Sequence, residues 1–217
     1  TRELGELADG GAGKLCIGSI MAASPAVLSK ALIRLKALYP RLTIDITVDT
    51  SDRLTEGLRR GDLDLVIGRV PDERLDDLHF EPIAKEALSL VVSPSHPLAK
   101  LVRVAWADLM KFQWVLQPRV SPMRELLEQE FRSQGSRPPP GLIETSSILT
   151  TTNLLTHSDM IAVIPTEVAE RYEQHGLLAC LRYQLRQQLS VYGVVTSKAR
   201  PFSPPAAQLI AFVTGKG

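Results

Sequence analysis

The feature that most constrains this chain is the alternation of strand and helix over residues 14–68. The run KLCIGS (14–19) is short and apolar, as a buried strand requires. Ser24-Pro25 follows, an N-cap and first-helical-residue pair. Residues 26–39 then place Val27, Leu28, Ala31, Leu32, Leu35 and Leu38 at helical spacing, with Pro40 just beyond. LTIDITVD (42–49) alternates, with Leu42, Ile44, Ile46 and Val48 on one face. Asp52 predicts the N-cap of a short helix over 53–60 that Gly61 ends, and LDLVIG (63–68) is a further buried strand. A β-α-β-α-β order of this kind predicts a parallel sheet in an α/β domain.

The rhythm breaks once. HFEPIAKEALSLVVSP (79–94) reads as two adjacent strands with no helix between them, so the second is expected to be antiparallel. The alternation then resumes: a helix at 105–111, a strand at 113–117, and a helix from Ser121-Pro122 to Gln134 with Leu126, Leu127 and Phe131 inward. The connector SRPPPG (136–141) leads to a strand at 142–145, a helix at 147–157, a strand at 160–164 and a helix from Pro165 to Gln174. Strands at 178–183 and 188–196 precede a last helix at 206–213. Two similar α/β halves result. The last helix has no partner strand in the second half, so it is expected to return to the first. The expected division is lobe I at 14–93 plus 197–217 and lobe II at 94–196. Residues 1–13 read as the end of a helix and a glycine-rich link. A cleft between two such lobes is the expected ligand site, since strand ends and helix N-termini face it.

Charge narrows the function. The 25 Lys and Arg nearly cancel 24 Asp and Glu, so a broad nucleic-acid surface on this chain is not expected. Two cysteines, Cys16 and Cys180, make no disulfide framework and read as buried free thiols of a reducing compartment. No run approaches the length of a membrane-spanning helix, and no secretory signal is visible. The chain begins at Thr1, which reads as a fragment or a processed product.

Enzymatic signatures are missing: no GxGxxG after the first strand, and no GxxxxGK[ST], HExxH, CxxC or GxSxG. The four histidines, His79, His96, His157 and His175, have no metal-ligand spacing and read as surface or satisfied side chains. The pairs Asp62/Asp64 and Asp76/Asp77 fall at turns and read as solvated. No cofactor and no metal are expected. Four clusters of small polar residues remain, each after a strand and before a helix: Ser24-Pro25, Thr50-Ser51-Asp52, Ser121-Pro122 and Thr145-Ser146-Ser147. Each is a plain helix cap or part of an anion-holding surface. Arg69, directly after LDLVIG, is either a surface arginine or the countercharge for a carboxylate.

The string TSDRLTEGLRRGDLDLVIG (50–68) resembles the effector-binding domain of LysR-type transcriptional regulators, as do LSLVVSPSHPLAK (88–100) and SDMIAVIPTEVAE (158–170). The opening Leu15-Cys16-Ile17-Gly18, with Pro25 and the helix around Leu28, fits the same family, and the resemblance covers nearly all of 14–215. FQWVLQPRVSPMRELLEQEF (112–131) resembles a subgroup that includes regulators of sugar-binding proteins and of aromatic degradation.

The resemblance implies an α/β fold of two Rossmann-like lobes with a central cleft, the type 2 periplasmic-binding-protein-like arrangement. It implies a small-molecule effector, a carboxylate or a sugar, held by Ala22 and Ser24, by Thr50 and Ser51, by Arg69, and by Val120, Ser121 and Ser146 or Ser147. Many members have a hydroxyl at the position of Ala22; this chain has none there. No redox cysteine pair marks a peroxide sensor. The resemblance further implies a cytoplasmic, non-catalytic homodimer, a tetramer at full length. DNA contact would be left to an N-terminal winged helix-turn-helix upstream, with residues 1–9 as the end of its linker helix. The alternatives are a transporter's solute-binding protein, and an enzyme on this fold such as a prephenate dehydratase, whose Thr-Arg-Phe motif is absent.

Overall fold

A computed structural model describes residues 13–23, 27–70, 76–119, 121–186 and 188–216. Two compact units are present: one takes the chain up to Ala84 and again from Val191, the other takes Lys85–Ser190. Unit 1 opens with β1 (Lys14–Ser19), α1 (Ser29–Leu38), β2 (Thr43–Val48), α2 (Ser51–Arg60), β3 (Leu65–Gly68) and β4 (Leu78–Ala84). Unit 2 contains β5 (Leu88–Val92), α3 (Trp106–Leu109), β6 (Trp114–Leu116), α4 (Pro122–Ser133) and β7 (Ile143–Glu144). It continues with α5 (Ile148–Thr156), β8 (Ile161–Pro165), α6 (Thr166–Gln174) and β9 (Ala179–Cys180). The chain then returns to unit 1 as β10 (Tyr192–Ser197) and α7 (Pro204–Thr214).

Each unit is built on a five-stranded sheet, ordered β2-β1-β3-β10-β4 in unit 1 and β7-β6-β8-β5-β9 in unit 2. β1 runs parallel to β2 and β3, as the alternation predicts. It lies inside the sheet, so Leu15 to Ser19 are buried on both faces. β10 runs antiparallel between β3 and β4. α7 packs against α1 and β4, so the last helix does return to the first unit. Arg34 of α1 stacks its guanidinium over the Phe212 ring at 3.9 Å. In unit 2, Trp106, Trp114, Phe131 and Tyr183 form one aromatic cluster with centroids 5.1–6.0 Å apart.

Several sequence expectations shift for physical reasons. The helix expected at Arg53 begins two residues earlier: Thr50, in extended backbone, is its N-cap, and Asp52 lies in its first turn. Gly61 closes that helix at φ 89°, as expected. The two strands read at 79–94 are not neighbours. β4 pairs with β10 in unit 1, and β5 pairs with β8 and β9 in unit 2, antiparallel in both cases. The units therefore part at Ala84/Lys85 and rejoin at Ser190/Val191. The sequence pattern places these divisions at 93/94 and 196/197. The face of β2 expected to be buried is partly open: Ile46 and Val48 are exposed, because β2 is an edge strand. Cys16 is buried in β1, whereas Cys180 is only half-buried. Burial, reinforced by Glu173, pushes the Cys180 thiol up to about 12. The expected Ser24-Pro25 cap and the 1–9 helix end lie outside the described residues.

His96 is a satisfied core histidine. Its Nδ1 accepts the Leu98 N–H at 3.0 Å, so the ring is neutral and its Nε2–H donates to the Asp159 carbonyl at 3.2 Å. The ring also packs on Phe112, at 4.4 Å between centroids. Burial lowers its pKa, against a smaller opposing pull from Asp159. A base held neutral in the folded state contributes stability above its unfolded pKa, near ~6.5, and that contribution is lost as pH falls through the lower folded value. The melting temperature should therefore drop more steeply below about pH 6.5 in the native chain than in His96→Asn, whose amide oxygen can still accept from Leu98. Superimposable melting–pH profiles would rule this out.

Gly193 marks the other sensitive point. The β10–β4 register shifts between Tyr192 and Gly193, and a Cβ at Gly193 would drive into the Glu81 carbonyl oxygen. Gly193→Ala should cost about 1–3 kcal/mol of stability, seen as a lowered urea midpoint at unchanged slope. An unchanged midpoint would mean that the strands part without cost.

Candidate functional site

In unit 1 the C-terminal ends of β1, β2 and β3 converge on the start of α2. The Ile20 N–H donates to the Ile67 carbonyl at 2.9 Å, and the Asp49 N–H to the Ser19 carbonyl at 3.3 Å, so the three strand ends are locked together. The Asp49 carboxylate turns back to accept the Thr50 N–H at 2.8 Å, shaping the entry to α2. Ser51 does not cap its own helix. Its Oγ accepts the Arg69 N–H at 3.0 Å, tying the end of β3 to the first turn of α2. Close approach there depends on Gly68, where a Cβ would meet Ser51 Oγ at 3.3 Å.

Thr50 differs from its neighbours. It is 4% exposed, makes no side-chain cap bond, and its Oγ1 finds no hydrogen-bond partner among the described residues. Asp52 Oδ1, one turn into the helix, is likewise buried and without a partner there. Arg69 is buried, with its guanidinium 5.7 Å from the centre of the Tyr192 ring. Burial lowers its pKa to about 10, so it remains a cation at neutral pH. The N-terminus of α2, a buried hydroxyl without a partner among the described residues and the backbone of the buried Arg69 come together here, beside the Asp52 carboxylate, and can offer donors to a bound acceptor. Ala22, 4% exposed, is a member of the unit 1 core and brings a methyl group only.

In unit 2 the corresponding serines cap helices. Ser121 Oγ accepts the Arg124 N–H at 3.1 Å and is wholly buried. Ser147 Oγ accepts the Thr150 N–H at 3.2 Å and is exposed, and Ser146 is half-buried. A cap of this kind contributes about 1 kcal/mol. Ser24 and Val120 lie outside the described residues. Among the described residues no group of three or more His, Cys, Asp and Glu is placed to hold a metal ion. No described helix is long and apolar enough to cross a membrane. His157 and His175 end α5 and α6, with Nδ1 at 2.9 Å from the Asn153 carbonyl and 2.7 Å from the Arg171 carbonyl.

Residues 8–217 match the family described as the LysR substrate binding domain. The chain belongs to that family. It is 32% identical to the HTH-type transcriptional regulator GbpR of Azospirillum brasilense over 211 residues, 96% of this chain and 62% of that protein. The GbpR of Rhizobium radiobacter is 32% identical over 171 residues, 78% of this chain and 57% of that protein. The chain thus spans less than two thirds of either relative. Among solved structures, the effector binding domain of QuiR in complex with shikimate superposes at a TM-score of 0.77, with 18% identity over 95% of this chain and 98% of that one. The regulatory domain of CcmR from Synechocystis PCC6803 in complex with 2-PG gives 0.76, with 16% identity over 94% and 96%. These likenesses establish the type 2 periplasmic-binding-protein-like α/β fold. The solute-binding-protein alternative finds no support in them.

Within this LysR domain, reading the sequence alone missed Asp49, Gly68 and Tyr192. Asp49 and Gly68 sit beside residues already singled out, and a strand-end Asp before Thr-Ser is a visible turn signal. Tyr192 carries no local signal, since it reaches Arg69 through β10, from the far side of unit 2 in sequence.

Proposed function

We propose that this chain is the effector-sensing part of a longer transcriptional regulator, and that its ligand is a small acid whose carboxylate docks at the strand ends of unit 1. The observation that carries this reading is Thr50. A buried hydroxyl left without a partner costs about 1–3 kcal/mol, a cost that a bound acceptor relieves. Thr50 opens α2, next to it the Ser51 hydroxyl holds the Arg69 N–H, and Arg69 itself is a buried cation. The structures of QuiR with shikimate and CcmR with 2-PG support a small-molecule ligand. In this reading Ser121, Ser146 and Ser147 supply further polar contacts from unit 2, and Ala22 shapes the site sterically. The role is binding rather than catalysis. Effector binding shifts the populations of the domain's conformations, and a DNA-binding segment elsewhere in the cytoplasmic protein, a winged helix-turn-helix, reads the shift.

Calorimetry against a panel of small carboxylates should find a ligand that Thr50→Val binds several-fold more weakly. The same substitution should leave the melting temperature unchanged or raised, because it removes a buried hydroxyl that has no partner to lose. Arg69→Gln should weaken the same ligand by about ten- to a hundredfold. Native affinity in Thr50→Val would sink the assignment.

The regulator is further proposed to act as a homodimer, with α1 of one copy on α4 of the other. Ile33 and Leu38 of α1 and Ile46 and Val48 of the neighbouring edge strand are exposed, more apolar surface than unit 1 needs for itself. Light scattering should give a dimer that Ile33→Glu converts to monomer. A native monomer at high concentration would exclude this interface.

A further inference from the structure

Unit 2 holds a concave groove of about 710 Å³ that is separate from the strand-end site. One wall is a single stripe of α4, Arg124, Glu128 and Arg132, spaced four residues apart. The connector after α4 contributes Arg137 and Pro138–Pro139–Pro140, and Arg119 and Glu144 also line the groove.

The four arginines are not equivalent. Arg124 is 1% exposed on its side chain, and it takes up both carboxylates. Its Nη1 donates to Glu144 at 2.9 Å and to the Gln117 carbonyl at 3.1 Å, and its Nε donates to Glu128 at 3.2 Å. A buried guanidinium demands such partners. Arg119 approaches Glu144 only at 3.8 Å and is largely exposed, and Arg132 and Arg137 are exposed as well. With four arginines against two glutamates, the groove keeps an excess of two positive charges.

The frame that carries these side chains is rigid. The Ser136 N–H donates to the Phe131 carbonyl at 2.9 Å, and Ser136 Oγ accepts the Trp106 Nε1–H at 2.9 Å. Three prolines then fix the backbone and offer no N–H of their own. Gly141, at φ 74°, turns the chain into β7. The backbone on either side of Arg137 is therefore restrained beside the end of α4, which lowers the ordering cost of binding.

We propose that this groove binds a small, multiply charged oxyanion, a phosphate ester or polycarboxylate, through the forks of Arg119, Arg132 and Arg137 above the fixed Arg124. Its volume is that of a small-molecule site. An extended nucleic acid would need a longer basic stripe, on a chain whose net charge is only +1. Glu125 and Gln129, both exposed, lie on a different stripe of α4 from the groove.

The test is calorimetric titration of the whole chain with inorganic pyrophosphate, ionic strength held constant with chloride. The expected result is saturable binding, competed by citrate. Arg132→Gln/Arg137→Gln should weaken it at least about tenfold while leaving the unliganded melting temperature unchanged. Arg171→Gln, at an exposed position on α6, and Thr50→Val should both bind as the native chain does. Absence of saturable heat at matched ionic strength, native affinity in the double variant, or an equal loss in Arg171→Gln would each overturn the proposal.

Discussion

The pairing of β10 between β3 and β4 is the constraint on which the rest of unit 1 depends. Gly193, Val194 and Val195 face Gly68, Ile67 and Val66 across one ladder, and the same strand pairs with β4 along its other edge. Without it β3 would be an open edge and β4 would have no partner in the sheet. Val194 and Val195 are buried in the centre of the core. The strand also carries Tyr192 to Arg69, so the pairing that completes the sheet also furnishes the cation with its aromatic neighbour.

At the strand ends, the serine and threonine hydroxyls are used in different ways. Ser121 and Ser147 accept from their own helices, as capping residues do. Ser51 instead accepts from the end of a neighbouring strand and fixes where Arg69 leaves the sheet. Thr50 has a buried hydroxyl that finds no partner among the described residues. The three such clusters within the described residues look alike in sequence, yet their hydrogen bonds differ.

Local signals account for most of what the sequence revealed. Helical spacing, caps and the Gly61 stop place α1, α2 and α4 within a few residues, because each depends on neighbours along the chain. Partners far apart in sequence defeated the same reasoning. The alternation in 42–49 announces a strand but not its position at an edge, where Ile46 and Val48 meet solvent. The adjacency of β4 and β5 in sequence says nothing of their belonging to different sheets. Thr50, Ser51 and Arg69 were legible because strand ends and helix starts gather polar residues. The bond between Ser51 and Arg69, and the empty hydroxyl at Thr50, depend on how β3 and α2 close together in space.

The nesting of unit 2 inside unit 1 inverts the order in which the protein is made and the order in which it can fold. A ribosome synthesises all of Lys85–Ser190 before it reaches the last strand of unit 1. The nascent β1, β2, β3 and β4 must wait through that interval with the middle of their sheet missing. A premature stop at Val191 would therefore not trim a tail; it would remove an interior strand and the helix that packs against α1.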